Sequence, residues 1–216
     1  MAASEPTALE RFINGVIPEN PTYRQLLGMC PTLAVTGAME PAMTMAGATA
    51  FVLISANVMT SLIRGLLRPH LRILVFTLTI ATFVTIADRV LAAYMYEMSK
   101  ELGPYVPLII VNCIIISRCE ICASKQNVGV AIADGVGMSL GFTLGLASIA
   151  AVREIIGSGT WFGLTVLSPA AKDGWFPTWG IMLLPPGAFL TLGLLLGLAE
   201  WIGQRRSERQ RHRHSG

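Results

Sequence analysis

Long uncharged stretches alternate with short charged ones along this chain, and the alternation marks its elements better than local propensity does. Six uncharged stretches stand out, at 25–39, 41–63, 73–87, 102–117, 135–152 and 174–199. A helix that crosses a bilayer needs roughly 20 apolar residues. The second stretch has that length, the fifth nearly has it, and the sixth has it from about 180 to 203. The third reaches it only by running on through Asp88 and Arg89 to Tyr96. The first and fourth are short and interrupted, the first by Gly28, Pro31 and Gly37, the fourth by Gly103, Pro104, Pro107 and Asn112.

The interruptions fall at corresponding places in two halves, about 22–98 and 102–203. Each half reads as a short broken segment, a helix rich in small residues, and a third helix. The first small-residue helix closes at Arg64 and the second at Arg153. Three segments per half is an odd number, so the halves enter the membrane from opposite sides. The expectation is an all-α integral membrane protein of six transmembrane helices, two inverted three-helix repeats with helices I and IV broken. Short interrupted segments in matching positions of two halves point to a membrane binding site. Residues 1–21 form a cytoplasmic or interfacial N-terminus, with a short interfacial helix at 7–17, and residues 22–203 form the membrane domain. Residues 204–216 form a basic cytoplasmic tail, disordered or resting on lipid headgroups.

Composition agrees with a lipid-facing chain. Only 13% of the 216 residues are charged, about half the share of a soluble domain, and the mean hydropathy is +0.59. The net charge of +3 is no sign of nucleic-acid binding, because Arg205, Arg206, Arg209, Arg211 and Arg213 sit together in the tail. Residues 1–21 are polar and lack the apolar core of a signal peptide. Positive charge then sets the orientation. If all six segments cross, one side carries Arg64, Arg68, Arg72, Arg118, Lys125 and the tail arginines. The other carries little beyond Lys100 and Lys172, with Arg153 at a helix end. Both termini are therefore expected on the cytoplasmic side of a bacterial inner membrane.

Each broken segment contains one cysteine, Cys30 in the first and Cys113 in the fourth. Free cysteine is commonly a small buried hydrophobe, yet packing gives no reason for one at both pseudo-equivalent breaks. An iron–sulfur cluster takes four thiolates. Cys119 and Cys122 would complete a set, but they lie about 9 Å beyond Cys113 along a helix, beside Arg118 and Glu120. Two ligands from this chain and two from a partner subunit fit better, and the C-x2-C reads as a pair of free cytoplasmic thiols. Asp88 and Arg89 inside the third segment carry a functional hypothesis by default, against which stands a simple ion pair or an interfacial position. Asn57 and Asn112 are expected to bond between helices. Gly137, Gly141 and Gly145, like Gly193 and Gly197, have the spacing that lets helices approach closely. The chain carries no nucleotide-binding fingerprint and no nucleophile–base set, and His70, His212 and His214 lie in a loop and the tail.

These residues resemble a known family. Glu19-Asn20-Pro21 followed by Gln25-Leu26-Leu27-Gly28-Met29-Cys30-Pro31-Thr32-Leu33-Ala34-Val35-Thr36 is similar to the opening of the E subunit of the Rnf electron-transport complex. So are Pro107-Leu108-Ile109-Ile110-Val111-Asn112-Cys113, Arg118 with Ala123-Ser124-Lys125, and Ala133-Asp134-Gly135. Val152-Arg153-Glu154-Ile155-Ile156-Gly157 and Met182-Leu183-Leu184-Pro185-Pro186-Gly187 extend the likeness over about 19–203. Met39-Glu40-Pro41-Ala42 and the stretch from Ala93 to Lys100 lean instead toward the D subunit of the sodium-translocating NADH:quinone reductase. The resemblance implies a six-helix protein paired with a homologous sister, the A subunit, in opposite orientation. It implies a 2Fe–2S cluster held within the membrane by two cysteines from each, with Cys30 and Cys113 at the matching positions. Cys119 and Cys122 depart from the family, which has alanine there. The implied work is electron relay between ferredoxin and NAD, coupled to sodium or proton movement, with nucleotide and ferredoxin bound by other subunits of the complex. Two readings of other kinds remain, a small-solute transporter and a structural membrane anchor.

Overall fold

A computed structural model describes residues 12–13, 15, 19–65, 69–161, 164–165 and 180–214, without the side chains of 69, 160, 164, 165, 202 and 204–214. Arg68, Lys172 and the start of the sixth stretch at 174–179 lie outside the described residues. Among the described residues the regular structure is helical apart from one short antiparallel ladder. In order, the helices are α1 (Met29–Val35), α2 (Met39–Ile63), α3 (Arg72–Tyr94), α4 (Tyr96–Leu102), α5 (Pro107–Ile110), α6 (Cys113–Arg118), α7 (Val128–Ser158) and α8 (Pro185–His214). A π-helical turn, Cys119–Ala123, continues α6. The ladder pairs β1 (Thr160–Trp161) with β2 (Leu164–Thr165).

Among the described residues, α2, α3 and α7 are each long and apolar enough to cross a membrane. A fourth span is added if Tyr96–Leu102 and Pro107–Ala123, bent by 67° to each other, act as one. The third uncharged stretch does run on as a helix past Asp88 and Arg89, ending at Tyr94. The fourth breaks where Val111 and Asn112 leave helical geometry. α8 continues helical through residue 214, so the backbone of the tail extends the sixth stretch.

α7 is the central helix: 56% of its most apolar window is buried, against 17% for α3. Met138, Phe142 and Leu146 of α7 meet Met45, Val52 and Leu53 of α2 and Phe76 and Ile80 of α3 in one core. Asn57 donates to the Ala131 carbonyl at 3.3 Å, the expected interhelical bond between α2 and α7. Asn112 does otherwise. Its Oδ1 accepts from the Ile114 amide at 3.1 Å and caps α6, because a free helix start needs an acceptor more than a neighbouring helix does.

Two arginines sit differently from their sequence placement. α7 runs five residues past Arg153, which is 1% exposed. Its guanidinium donates to the carbonyls of Met182 (3.0 Å), Leu183 (2.9 Å) and Leu184 (3.3 Å) and to the Thr36 hydroxyl (2.6 Å). Beside it the Glu154 carboxylate accepts the Met39 amide at 2.7 Å. These partners allow two charges to remain inside a helix that the pattern would have ended. Arg118 is also buried, with Asp134 as its bidentate partner.

The glycine face of α7 seats the N-terminal segment rather than another long helix. A Cβ at Gly137 would lie 2.7 Å from the Phe12 carbonyl oxygen, and one at Gly141 would lie 2.6 Å from that of Gly15. Asn20 donates to the Gly141 carbonyl at 3.1 Å, and Tyr23 bonds Ser148. Gly141→Val is expected to push this segment off α7 at a cost of about 1–3 kcal/mol, the range for overpacking. Faster proteolysis near residues 12–20, with the helical domain intact, is the expected readout.

Two loops are tied together by charged side chains. Arg64 donates to Asn127 at 3.0 Å and Arg72 to Glu120 at 3.0 Å, bringing the loop after α2 and the loop before α7 to one end. Arg24 and Glu200 approach within 4.0 Å, so the first segment and α8 meet as well.

Candidate functional site

Two chain breaks meet beside α7. At the first, Leu26 (φ 54°) and Gly28 (φ 73°) both turn left-handed, which reverses the backbone before α1 begins. At Gly28 this costs no steric penalty, whereas Leu26 adopts it against the usual preference of a side-chain-bearing residue. Asn20 organises the approach by accepting the Thr22 and Tyr23 amides at 3.0 and 3.2 Å, and Leu27 donates back to the Pro21 carbonyl at 2.9 Å. At the second break, Asn112 caps α6, and Cys113 opens that helix.

The breaks touch through sulfur. The Gly28 amide donates to Cys113 Sγ at 3.0 Å, joining residues 85 apart in sequence. Cys30 stands two residues beyond Gly28, in the first turn of α1. The backbone that leads into Cys30 is thus in contact with Cys113. Both cysteines are exposed, whereas Cys119 and Cys122 are buried. The latter pair is thus no loop dithiol. It is packed in the π-helical turn, with the Cys119 thiol 3.7 Å from Asn57 Oδ1.

The donor set bears on what this place can hold. A backbone N–H aimed at sulfur stabilises negative charge there, as cluster-ligating thiolates require. Two exposed thiols at neighbouring breaks give half of a four-thiolate set, and among the described residues no group of three or more metal-ligating side chains gathers. The residues fit a shared iron–sulfur cluster and do not fit one held by this chain alone. Val111, Ile73 and Ile121 around Cys113 are exposed apolar side chains. Asp88 is half-buried on α3 and makes no ion pair among the described residues.

Sequence reasoning did not find three parts of this arrangement. The Gly28 amide was hidden inside a motif noticed for its cysteine. Arg118 and Asp134 lie 16 residues apart with nothing to pair them but the fold. Arg72 and Glu120, which line the hollow beside Cys113, were noticed only as an orienting cation and a loop charge, with nothing to pair them.

Residues 8–196 match the sequence pattern of a family described as Rnf-Nqr subunit, membrane protein. The chain is 45% identical over 193 residues to the E subunit of the Na+-translocating ferredoxin:NAD+ oxidoreductase complex of Acetobacterium woodii, covering 89% of this chain and 96% of that one. It is 39% identical over 203 residues to the D subunit of the Na+-translocating NADH-quinone reductase of Tolumonas auensis, covering 94% of each. It is 43% identical over 204 residues to the E subunit of the ion-translocating oxidoreductase complex of Shewanella sp. strain ANA-3, covering 91% and 88%.

Proposed function

The chain belongs to the Rnf-Nqr family of membrane subunits, and from that premise we propose that it is part of an ion-translocating ferredoxin:NAD oxidoreductase complex of the bacterial inner membrane. Within it, Cys30 and Cys113 provide half the ligands of a 2Fe–2S cluster, and a homologous sister, the A subunit, provides the other half. Such a cluster takes up and gives back one electron at a time, and other subunits bind ferredoxin and nucleotide. The observation that supports the reading is the Gly28 amide on Cys113 Sγ, because it ties the break that precedes Cys30 to the break that carries Cys113, and both cysteines are exposed. The chain's own part is positional. Left-handed Gly28 holds a donor on sulfur, Asn112 starts the helix that presents Cys113, and the apolar rim offers the sister protein a surface that shuts out water.

The same breaks support the inverted-repeat arrangement. In it, α1 with α2 and α3 corresponds to α5 and α6 with α7 and α8, six passes bring both termini to the cytoplasm, and lipid covers the outer faces of α3 and α8. A second reading, the D subunit of a sodium-translocating NADH:quinone reductase, draws on the 39% identity over 203 residues to such a protein. Membranes carrying the complex separate these: ferredoxin-dependent NAD reduction supports the first and NADH-dependent quinone reduction the second.

The direct test is electron paramagnetic resonance of this chain co-expressed with its sister and reduced without oxygen. A 2Fe–2S signal that Cys30→Ser abolishes is expected. A well-folded wild-type pair without the signal would overturn the cluster reading and return the transporter and anchor alternatives.

A further inference from the structure

Cys113 lines a hollow of about 680 Å3 whose walls are otherwise mostly apolar, among them Leu27, Phe76, Val111 and Ile116. Its charged lining, among the described residues, is Arg72 and Glu120. Arg72 opens α3, and Glu120 lies in the π-helical turn that continues the helix of Cys113. Arg72 Nη1 donates to Glu120 Oε1 at 3.0 Å, which uses only part of each group. Arg72 Nε and Glu120 Oε2 are both buried without a hydrogen-bond partner. The pair is thus held in place, incompletely satisfied, beside one of the two cysteines.

We propose that Arg72 and Glu120 set the reduction potential of the iron–sulfur cluster at Cys113, with Arg72 raising it and Glu120 lowering it. This rests on the cluster reading above. Reduction adds one negative charge, so a fixed cation nearby favours the reduced form and a fixed anion the oxidised form. The two side chains are 29% and 44% exposed, so water screens part of these interactions and the apolar walls preserve the rest; local charge is one of the levers that set cluster potentials. An ion pair gives two opposed contributions, so the net effect depends on which member is neutralised. The residues act through the field and position of the pair and touch no substrate.

The experiment is a potentiometric titration of the cluster's paramagnetic signal in the assembled complex. It compares wild type, Arg72→Gln, Arg72→Lys, Glu120→Gln and the Arg72→Gln/Glu120→Gln double variant. Arg72→Gln is expected to lower the ratio of reduced to oxidised cluster about tenfold at the wild-type midpoint, a shift of ~59 mV for a one-electron couple. Glu120→Gln is expected to shift the midpoint the opposite way, with the double variant and Arg72→Lys near wild type. Shifts of the same sign, or ratio changes under twofold, would mean that the pair is only structural. If Arg72→Gln prevents assembly, the upward shift in Glu120→Gln decides the matter, and its absence overturns the proposal. A wild-type complex without the signal removes the cluster premise instead, a failure distinct from an unshifted midpoint.

Discussion

Arg118→Met is expected to destabilise the chain by about 3–5 kcal/mol, the cost of leaving one member of a buried ion pair alone. Arg118 is 3% exposed and Asp134 is fully buried. Arg118 Nε donates to Asp134 Oδ2 at 2.8 Å while its Nη2 takes the other oxygen, a bidentate match of the strong kind. Glu19 adds a more distant contact at 3.8 Å. Without the guanidinium, the Asp134 carboxylate would face apolar surroundings with no counter-charge. Replacing both partners by apolar residues removes that penalty, so Arg118→Met/Asp134→Leu is expected to recover most of the loss. Unfolding in mixed micelles by denaturing detergent provides the measurement. A single variant costing under about 1 kcal/mol, or a double no better than the single, would show that this pair does not anchor α6 to α7. Because Cys113 lies five residues before Arg118, loosening this anchor is also expected to weaken the cluster signal.

Gly28→Ala is expected to cost roughly 2–4 kcal/mol, from left-handed backbone strain and from overpacking together. An added Cβ would lie 2.5 Å from Ile114 Cδ1 and 2.9 Å from Phe142 Cε2. Both side chains are 1% exposed, so neither has open space to move into. Any shift of the backbone would carry the Gly28 amide away from Cys113 Sγ. The paramagnetic signal should therefore fall with stability, and Ile114→Val, which removes the nearest methyl, should partly restore both. A Gly28→Ala variant with full stability and an unchanged signal would show that the touching breaks are dispensable.

Much of this arrangement was legible where it depended on local pattern. The uncharged stretch at 41–63 became α2 (Met39–Ile63), and the breaks flagged by Gly28 and Asn112 fall where the helices stop. The two cysteines chosen for their matching positions belong to neighbouring breaks. What pattern could not supply was tertiary compensation. Arg153 looked like the end of a helix because a charged pair, Arg153-Glu154, interrupts the apolar run there; the partners that let it stay inside lie far along the chain, at Thr36 and at Met182 to Leu184. Arg118 was counted among the loop cations that set orientation, although Asp134 holds it inside. The glycine spacing of α7 announced a close approach but not its occupant, since Phe12 and Gly15 approach with backbone and carry no periodic signal. A Cβ added at Gly193 or Gly197 would meet no other described part of this chain within 4 Å.

The seat of the N-terminal segment on α7 also orders events during synthesis. Asn20 waits for the Gly141 carbonyl across 121 residues, and Tyr23 waits for Ser148 across 125. At ordinary elongation rates that interval is roughly 6–25 s. Until α7 has been made, that stretch has only its local bonds to Asn20 and Pro21 and no seat on the helix. A chain stalled before residue 141 therefore leaves the approach to Cys30 without its seat on α7.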